Sequence, residues 1–244
     1  MSEFWIEPEW PAPSAVRAAS TLRRGGVSTG SYQSLNLGAH VGDEPRRVVE
    51  NRRRLRGTLK LPGEPVWLNQ VHGNAVIRAE ASSERNADAA FTDRPGVVCA
   101  VMTADCLPIL LCSEDGDRVA AAHAGWKGLA AGVIEAAVKS LGTDRLMAWL
   151  GPAIGPETFE VGREVRETFV GKRTAFAAAF REKGDGKWLA DLYRLARIVL
   201  NDIGVSAIYG GGYCTFSNAD DFFSYRRDRV TGRMATLIWR EHQT

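Results

Sequence analysis

The feature that most restricts the fold is a crowd of apolar, strand-like runs in the middle of the chain. Val97–Met102, Pro108–Cys112 and Val119–His123 follow one another closely, and Leu146–Leu150, Ala207–Tyr209 and Ala235–Trp239 come later. Turn formers such as Ser113-Glu114-Asp115-Gly116-Asp117 bound them, so they read as strands. Helical periodicity appears in Leu129, Val133, Ile134, Ala137, Val138 and Leu141, and again in Leu189, Leu192, Leu195, Ala196, Val199, Leu200 and Ile203. A further helix is expected after Gly42-Asp43-Glu44-Pro45, with Asp43 as its N-cap and Pro45 in its first turn. Strands and helices mix without a regular βα alternation. That favours a mixed α/β (α+β) layered sandwich, with helices packed on central mixed sheets, over a doubly wound parallel sheet or an eight-fold barrel.

No repeat, low-complexity tract or flexible linker divides the 244 residues, so residues 1–244 are expected to form a single domain. A formal charge of +2 gives no broad field for polyanions, and the apolar stretches fall short of the ~18 residues of a membrane span. Nucleic acid and membrane are therefore poor partners. The start, MSEFWIEPEWPAP, has neither a basic n-region nor an apolar h-region, and a cytoplasmic location is expected by default. Disulfides are not needed in a chain of this size and compartment. Arg46, Arg47, Arg52, Arg53, Arg54 and Arg56 read as a solvated helix face in preference to a phosphate-binding patch.

Only four histidines are present, so each can be weighed. His72, in Asn69-Gln70-Val71-His72-Gly73, and His123, before Gly125-Trp126-Lys127-Gly128, both sit where strands end. Cys106 lies in Thr103-Ala104-Asp105-Cys106-Leu107-Pro108, a polar interruption between two apolar runs that points to a rim. Two imidazoles and a thiolate suit zinc, because catalytic zinc keeps three protein ligands and an open position. The set lacks the short paired spacing of a zinc finger. On the residues alone, satisfied core histidines and an inert thiol are the favoured reading.

Together with Arg24-Gly25-Gly26-Val27-Ser28, Ser34-Leu35-Asn36-Leu37-Gly38 and His40-Val41-Gly42-Asp43, these segments resemble the bacterial multicopper polyphenol oxidase, or laccase-domain, family. Gly151-Pro152-Ala153-Ile154-Gly155-Pro156, Phe159-Glu160-Val161-Gly162 and Phe222-Phe223-Ser224-Tyr225-Arg226-Arg227-Asp228 follow in the same order, so the resemblance runs from about Arg24 to Trp239. It implies a zinc-dependent purine nucleoside phosphorylase acting on adenosine, inosine, guanosine and methylthioadenosine, with adenosine deaminase activity. Purine nucleoside and phosphate are then the partners, and His72, Cys106 and His123 fall on the metal positions. It also implies a compact sandwich of the cytotoxic-necrotizing-factor type and, in some bacteria, a role in peptidoglycan precursor editing. A true multicopper oxidase needs a histidine-built trinuclear cluster that four histidines cannot supply. A single His-Cys-His site with Met102 nearby in sequence could hold one copper, but zinc is the expected metal.

For phosphate or substrate, Arg24 beside Gly25 and Gly26 is the first candidate and Arg226 the second, each weighed against a structural ion pair. Asp105 could orient a ligand, act as an acid–base group or cap its turn, and Asn36 could bond substrate or form a turn. His40 suits a turn or a supporting role better than ligation, and His242 is expected to be solvated. Cys99 and Cys112 read as core, while Cys214 could approach the site. Gly26-Val27-Ser28-Thr29-Gly30 matches the nucleophile-elbow pattern, but no helical period follows it. Two rivals remain: a hydrolase or amidase with Cys106 as nucleophile and His123 or His72 as base, suited to peptidoglycan precursors, and a structural metal protein whose site is closed by Cys214 or His40.

Overall fold

Burial on both faces explains why the central strands carry no polar–apolar alternation. The computed structural model describes residues 4–242. In chain order the strands are β1 (Trp5–Ile6), β2 (Val16–Thr21), β3 (Val76–Arg78), β4 (Ala89–Thr92), β5 (Val98–Thr103), β6 (Leu107–Ser113), β7 (Val119–Ala124), β8 (Leu146–Leu150), β9 (Glu160–Gly162), β10 (Phe180–Gly184), β11 (Lys187–Ala190), β12 (Ala207–Gly210) and β13 (Met234–Arg240). The α-helices are α1 (Pro45–Thr58), α2 (Trp126–Ala131), α3 (Val133–Leu141), α4 (Arg163–Val170), α5 (Leu192–Asp202) and α6 (Tyr225–Asp228). One mixed sheet runs β12-β8-β6-β7-β4-β3, a second runs β1-β2-β13-β5, and β10-β11-β9 form a small third.

The layers follow from which side each residue of a strand faces. Leu107, Ile109 and Leu111 of β6 join Ala120, Ala122 and Ala124 of β7 in packing against Ile134 and Ala137 of α3 and Leu195 and Leu200 of α5. The alternate residues, Leu110, Cys112 and Ala121, face the second sheet and meet Cys99, Val101 and Ile238. On the far side of that sheet Val98, Ala100, Leu237 and Trp239 pack with Leu55 of α1. The result is a helix–sheet–sheet–helix sandwich, the mixed α/β class expected from the sequence. Cys99 and Cys112 are core thiols, and burial pushes Cys112 up to about 12.

Three local expectations are corrected. The long helical period from Leu129 to Leu141 is cut by Gly132, which adopts φ +89° and separates α2 from α3. Leu189 belongs to β11, and α5 begins only at Leu192, capped by the Asp191 carboxylate on Arg194 N–H. Glu44, not Asp43, holds the N-cap position of α1, because Asp43 Oδ2 is engaged by Ser28 Oγ (2.6 Å) and Asn36 Nδ2 (2.9 Å). Ser28 also accepts from Asn51, and a 3-10 turn at Gly30–Tyr32 follows it, so the nucleophile-elbow pattern has no elbow beneath it. Among the described residues no helix is long and apolar enough to cross a membrane.

Candidate metal centre

The His-Cys-His set is assembled at the mouth of the sandwich from three places. His123 is carried near the end of β7, in register with Pro108 of β6, so the ladder that buries β7 also fixes this ring. Cys106 closes the tight turn between β5 and β6, where Asp105 takes φ +96°. His72, itself at φ +61°, lies in the loop ahead of β3. Their donor atoms all lie within 4.8 Å of one another, with Cys106 Sγ 3.9 Å from His72 Nε2. The two imidazoles meet edge to face at 4.8 Å between centroids. His72 is exposed, Cys106 half-buried and His123 buried, so the set opens to solvent on the His72 side.

Asp88, which the sequence did not single out, organises this centre. It is fully buried; Oδ1 accepts from His123 Nδ1 (2.8 Å) and the His72 backbone N–H (2.9 Å), and Oδ2 accepts from the N–H groups of Gly73 (2.7 Å) and Val71 (3.2 Å). One carboxylate thus fastens the loop that carries His72 and the ring of His123. Burial would raise its pKa, but the bond from His123 and the backbone donors hold it below the ordinary carboxylate value. Nδ1 of His123 is then the protonated nitrogen, and Nε2 is turned toward Cys106. Burial alone would raise the Cys106 thiol, yet the charge on His123 and hydrogen bonds from His123 and His72 outweigh it and lower the pKa. Burial likewise opposes, and Cys106 and Asp88 overcome, to raise His123. A soft sulfur that ionises readily and two oriented imidazole nitrogens fit zinc, and they would hold it through His72, Cys106 and His123.

Glycine is required beside this set. A Cβ on Gly125 would stand 2.8 Å from Cys106 Sγ and 3.2 Å from His72 Cδ2, although its φ of −66° suits any residue. Gly125→Ala is therefore expected to displace two donors and weaken zinc binding on the order of tenfold, read by competition with a chromophoric chelator. Unchanged affinity would mean that the donors move freely.

A cavity of about 130 Å³ adjoins Cys106, lined also by Trp126, Phe159, Tyr225 and Arg226. Arg226 is held there by its backbone N–H on Asp105 Oδ2 (2.6 Å), by Nη1 on the Glu160 carbonyl (2.7 Å) and by the Phe159 ring, 5.3 Å from the guanidinium carbon. Asp105 Oδ1 accepts from the Thr215 hydroxyl at 2.7 Å. Both oxygens of Asp105 are so occupied in pinning Thr215 and Arg226.

Residues 17–241 match the family described as multi-copper polyphenol oxidoreductase laccase. The chain belongs to this family. A Pseudomonas aeruginosa protein named as a purine nucleoside phosphorylase is 57% identical over 96% of this chain and 98% of its own. Escherichia coli YfiH, named likewise, is 54% identical over the same 96% and 98%. Among solved structures, a Neisseria meningitidis protein superposes with a TM-score of 0.95 at 48% identity, over 98% of this chain and 100% of that one. YlmD from Geobacillus stearothermophilus does so with a TM-score of 0.89 at 32% identity, over 99% and 98%.

Other candidate residues fall elsewhere. Arg24 pairs with Asp221 (2.6 Å) and borders a different cavity of about 320 Å³, with Phe4, Leu35 and Arg54. Asn36 is fully buried; its Oδ1 accepts from the N–H groups of Gly38 and Arg233 and its Nδ2 donates to Gly38 O and Asp43, so no group is left for substrate. Cys214 accepts from the N–H groups of Gly155 and Ser217 and stays outside the donor set, as does His40. Met102 places its sulfur 3.9 Å from Arg52 Nη2. Arg52 departs from the solvated face expected for it: half-buried, it stacks 4.1 Å from the Trp67 ring and donates twice to the Leu37 carbonyl.

Proposed function

We propose that the chain, acting as one domain, is a zinc-dependent purine nucleoside phosphorylase centred on His72, Cys106 and His123. The observation that carries this reading is the donor set opening beside an aromatic-lined cavity with a fixed guanidinium, which suits a flat heterocycle joined to a polar sugar. The names of the relatives support the same class of substrate. In phosphorolysis a phosphate oxygen forms a bond to ribose C1′ while the C1′–N9 bond breaks. Its electron pair leaves with the base, a proton comes to a base nitrogen, and the products are free purine and ribose 1-phosphate. A bound metal supplies Lewis acidity at the donor set. The residues of the chain do the rest: Trp126, Phe159 and Tyr225 pack against the base and keep water off it, Asp105 holds Arg226 in place, and Asp88 keeps the His123 ring in one orientation.

The same site suits adenosine deamination, in which water replaces the C6 amino group and ammonia leaves. Copper is the other ion that this donor set accommodates. Incubation of zinc-loaded protein with adenosine, with and without phosphate, tests the reading by liquid chromatography. Phosphate-dependent adenine is the expected product, with phosphate-independent inosine reporting deamination. Both should vanish on chelation and return with zinc. No conversion by folded, zinc-loaded protein would sink the proposal and favour an amide substrate for a Cys106 nucleophile, for which the lowered thiol beside the protonated His123 is chemically suited.

A further inference from the structure

Two partly buried arginines near the centre make no direct ion pair with a carboxylate. Among the described residues Arg52 and Arg233 appear in no ion pair, whereas their neighbours Arg53 and Arg54 both bind Glu50. Arg233 is half-buried immediately before β13, and its guanidinium carbon lies 6.0 Å from the ring of Tyr225, which lines the cavity beside Cys106. Its side-chain hydrogen bonds leave only from Nη1, to the carbonyls of Thr231 and Gly232 at 3.0 Å, so Nε and Nη2 are not drawn to any carboxylate.

The loop from Asn36 to His40 straps the two arginines together. Arg52 grips the Leu37 carbonyl with Nε and Nη2 (3.0 and 2.8 Å), and Gly38 lies so close that a Cβ there would stand 2.8 Å from Arg233 Cγ. Asn36 ties the loop to the Arg233 backbone N–H at 2.9 Å. His40 is thereby placed on the same cluster. Partial burial together with Arg233 and Arg52 keeps its pKa below the ordinary histidine value. The negative groups that reach Arg233 are Cys106 and Asp105, with Tyr225 and Tyr32 beside them. Asp105 is already spent on Thr215 and Arg226, and Cys106 belongs to the metal. Glu64 acts on Arg52 from the Trp67 side, where its Oε1 accepts from Trp67 Nε1 (2.8 Å), so no carboxylate among the described residues makes an ion pair with either arginine. A cluster with positive charge and fixed donors of this kind is built to take an external oxyanion.

We propose that Arg233, Arg52 and His40 form the subsite for inorganic phosphate beside the metal centre. The assignment rests on the phosphorylase reading and replaces Arg24, which lies on another cavity, as the phosphate contact. Arg233 supplies the planar fork, Arg52 the second positive charge behind the loop, and exposed His40 a donor at the rim.

Calorimetric titration of zinc-loaded protein with inorganic phosphate, beside steady-state kinetics in phosphate and adenosine, tests it. Losing a charge-assisted contact in Arg233→Gln should raise both the phosphate Kd and the phosphate KM by about 10–100-fold, with the adenosine KM within about twofold. His40→Ala, at an exposed position, should raise the phosphate values about threefold, and it carries the test if Arg233→Gln fails to fold by circular dichroism. Phosphate binding by the wild type that is lost in these variants supports the subsite even if no nucleoside is cleaved, an outcome that would sink only the phosphorylase reading. Persistent phosphorolysis with unaltered phosphate KM in both variants overturns the subsite and leaves the phosphorylase standing. So does wild-type protein that binds no phosphate, or that uses Arg233 for the phosphate group of AMP in a parallel titration but not for the free anion.

Discussion

Cys106→Ala is expected to lower kcat/KM for adenosine phosphorolysis on the order of a thousandfold or more, and to leave the purified protein with little zinc. The effect should be this large because Cys106 is the one anionic donor in the set, and what remains is an exposed imidazole and a buried one. Removing it also removes one of the two groups, with Asp88, that raise the His123 pKa against the effect of burial. Stability should suffer little by comparison, since the thiol is only half-buried and lies in a turn outside the apolar layers. Metal content by elemental analysis, thermal melting and product formation read the three effects separately. Full activity in Cys106→Ala would end the centre's claim to the chemistry. Activity that survives metal removal in the wild type but not the cysteine substitution would transfer it to a thiolate nucleophile.

The clustering of His72, Cys106 and His123 was legible because histidine and cysteine are rare in this chain and each of the three sits where an apolar run ends. Such places are rims in any sheet, whatever its topology, so the inference did not depend on knowing the strand order. The layered α/β class was legible for a related reason: β5, β6, β7 and β8 are buried throughout, and such strands announce themselves as unbroken apolar runs. The small sheet was not, because β10 is exposed along Arg181–Gly184 and reads as polar loop. Arg24 lies away from the donor set, and its glycine neighbours have a local reason. Its glycine neighbours suggested close approach to an anion, but a Cβ on Gly26 would meet the Ser34 carbonyl at 2.1 Å and one on Gly25 the Phe4 ring at 2.8 Å. Those glycines serve the packing of the loop itself. Asp88 and Arg233 carry no motif at all; what distinguishes them is the set of partners that chain closure brings from far along the sequence.

Asp88→Asn is the subtler substitution with the second largest expected consequence. The two side chains have nearly the same shape, so packing is preserved and the change is one of hydrogen-bond character. In the native protein each carboxylate oxygen accepts from two donors: His123 Nδ1 and the His72 N–H on Oδ1, the Gly73 and Val71 N–H groups on Oδ2. An amide offers one accepting oxygen and one donating nitrogen. If the nitrogen faces Gly73 and Val71, two backbone donors meet a third beside the buried side chain, at a cost of about 1–3 kcal/mol, and the His72 loop loosens. If it faces His123, the imidazole must present an unprotonated Nδ1, which moves its proton to Nε2 and takes away the lone pair aimed at the metal. Either orientation strikes a ligand, so zinc affinity should fall about 10–100-fold, in keeping with the loss of a carboxylate behind a metal-binding histidine. Competition titration against a chromophoric chelator measures this directly. Cobalt-substituted protein adds a second readout, since a displaced imidazole alters the visible absorption of the ion even when enough metal remains bound for activity. Wild-type affinity together with an unaltered cobalt spectrum in Asp88→Asn would show that the buried carboxylate merely fills its cavity.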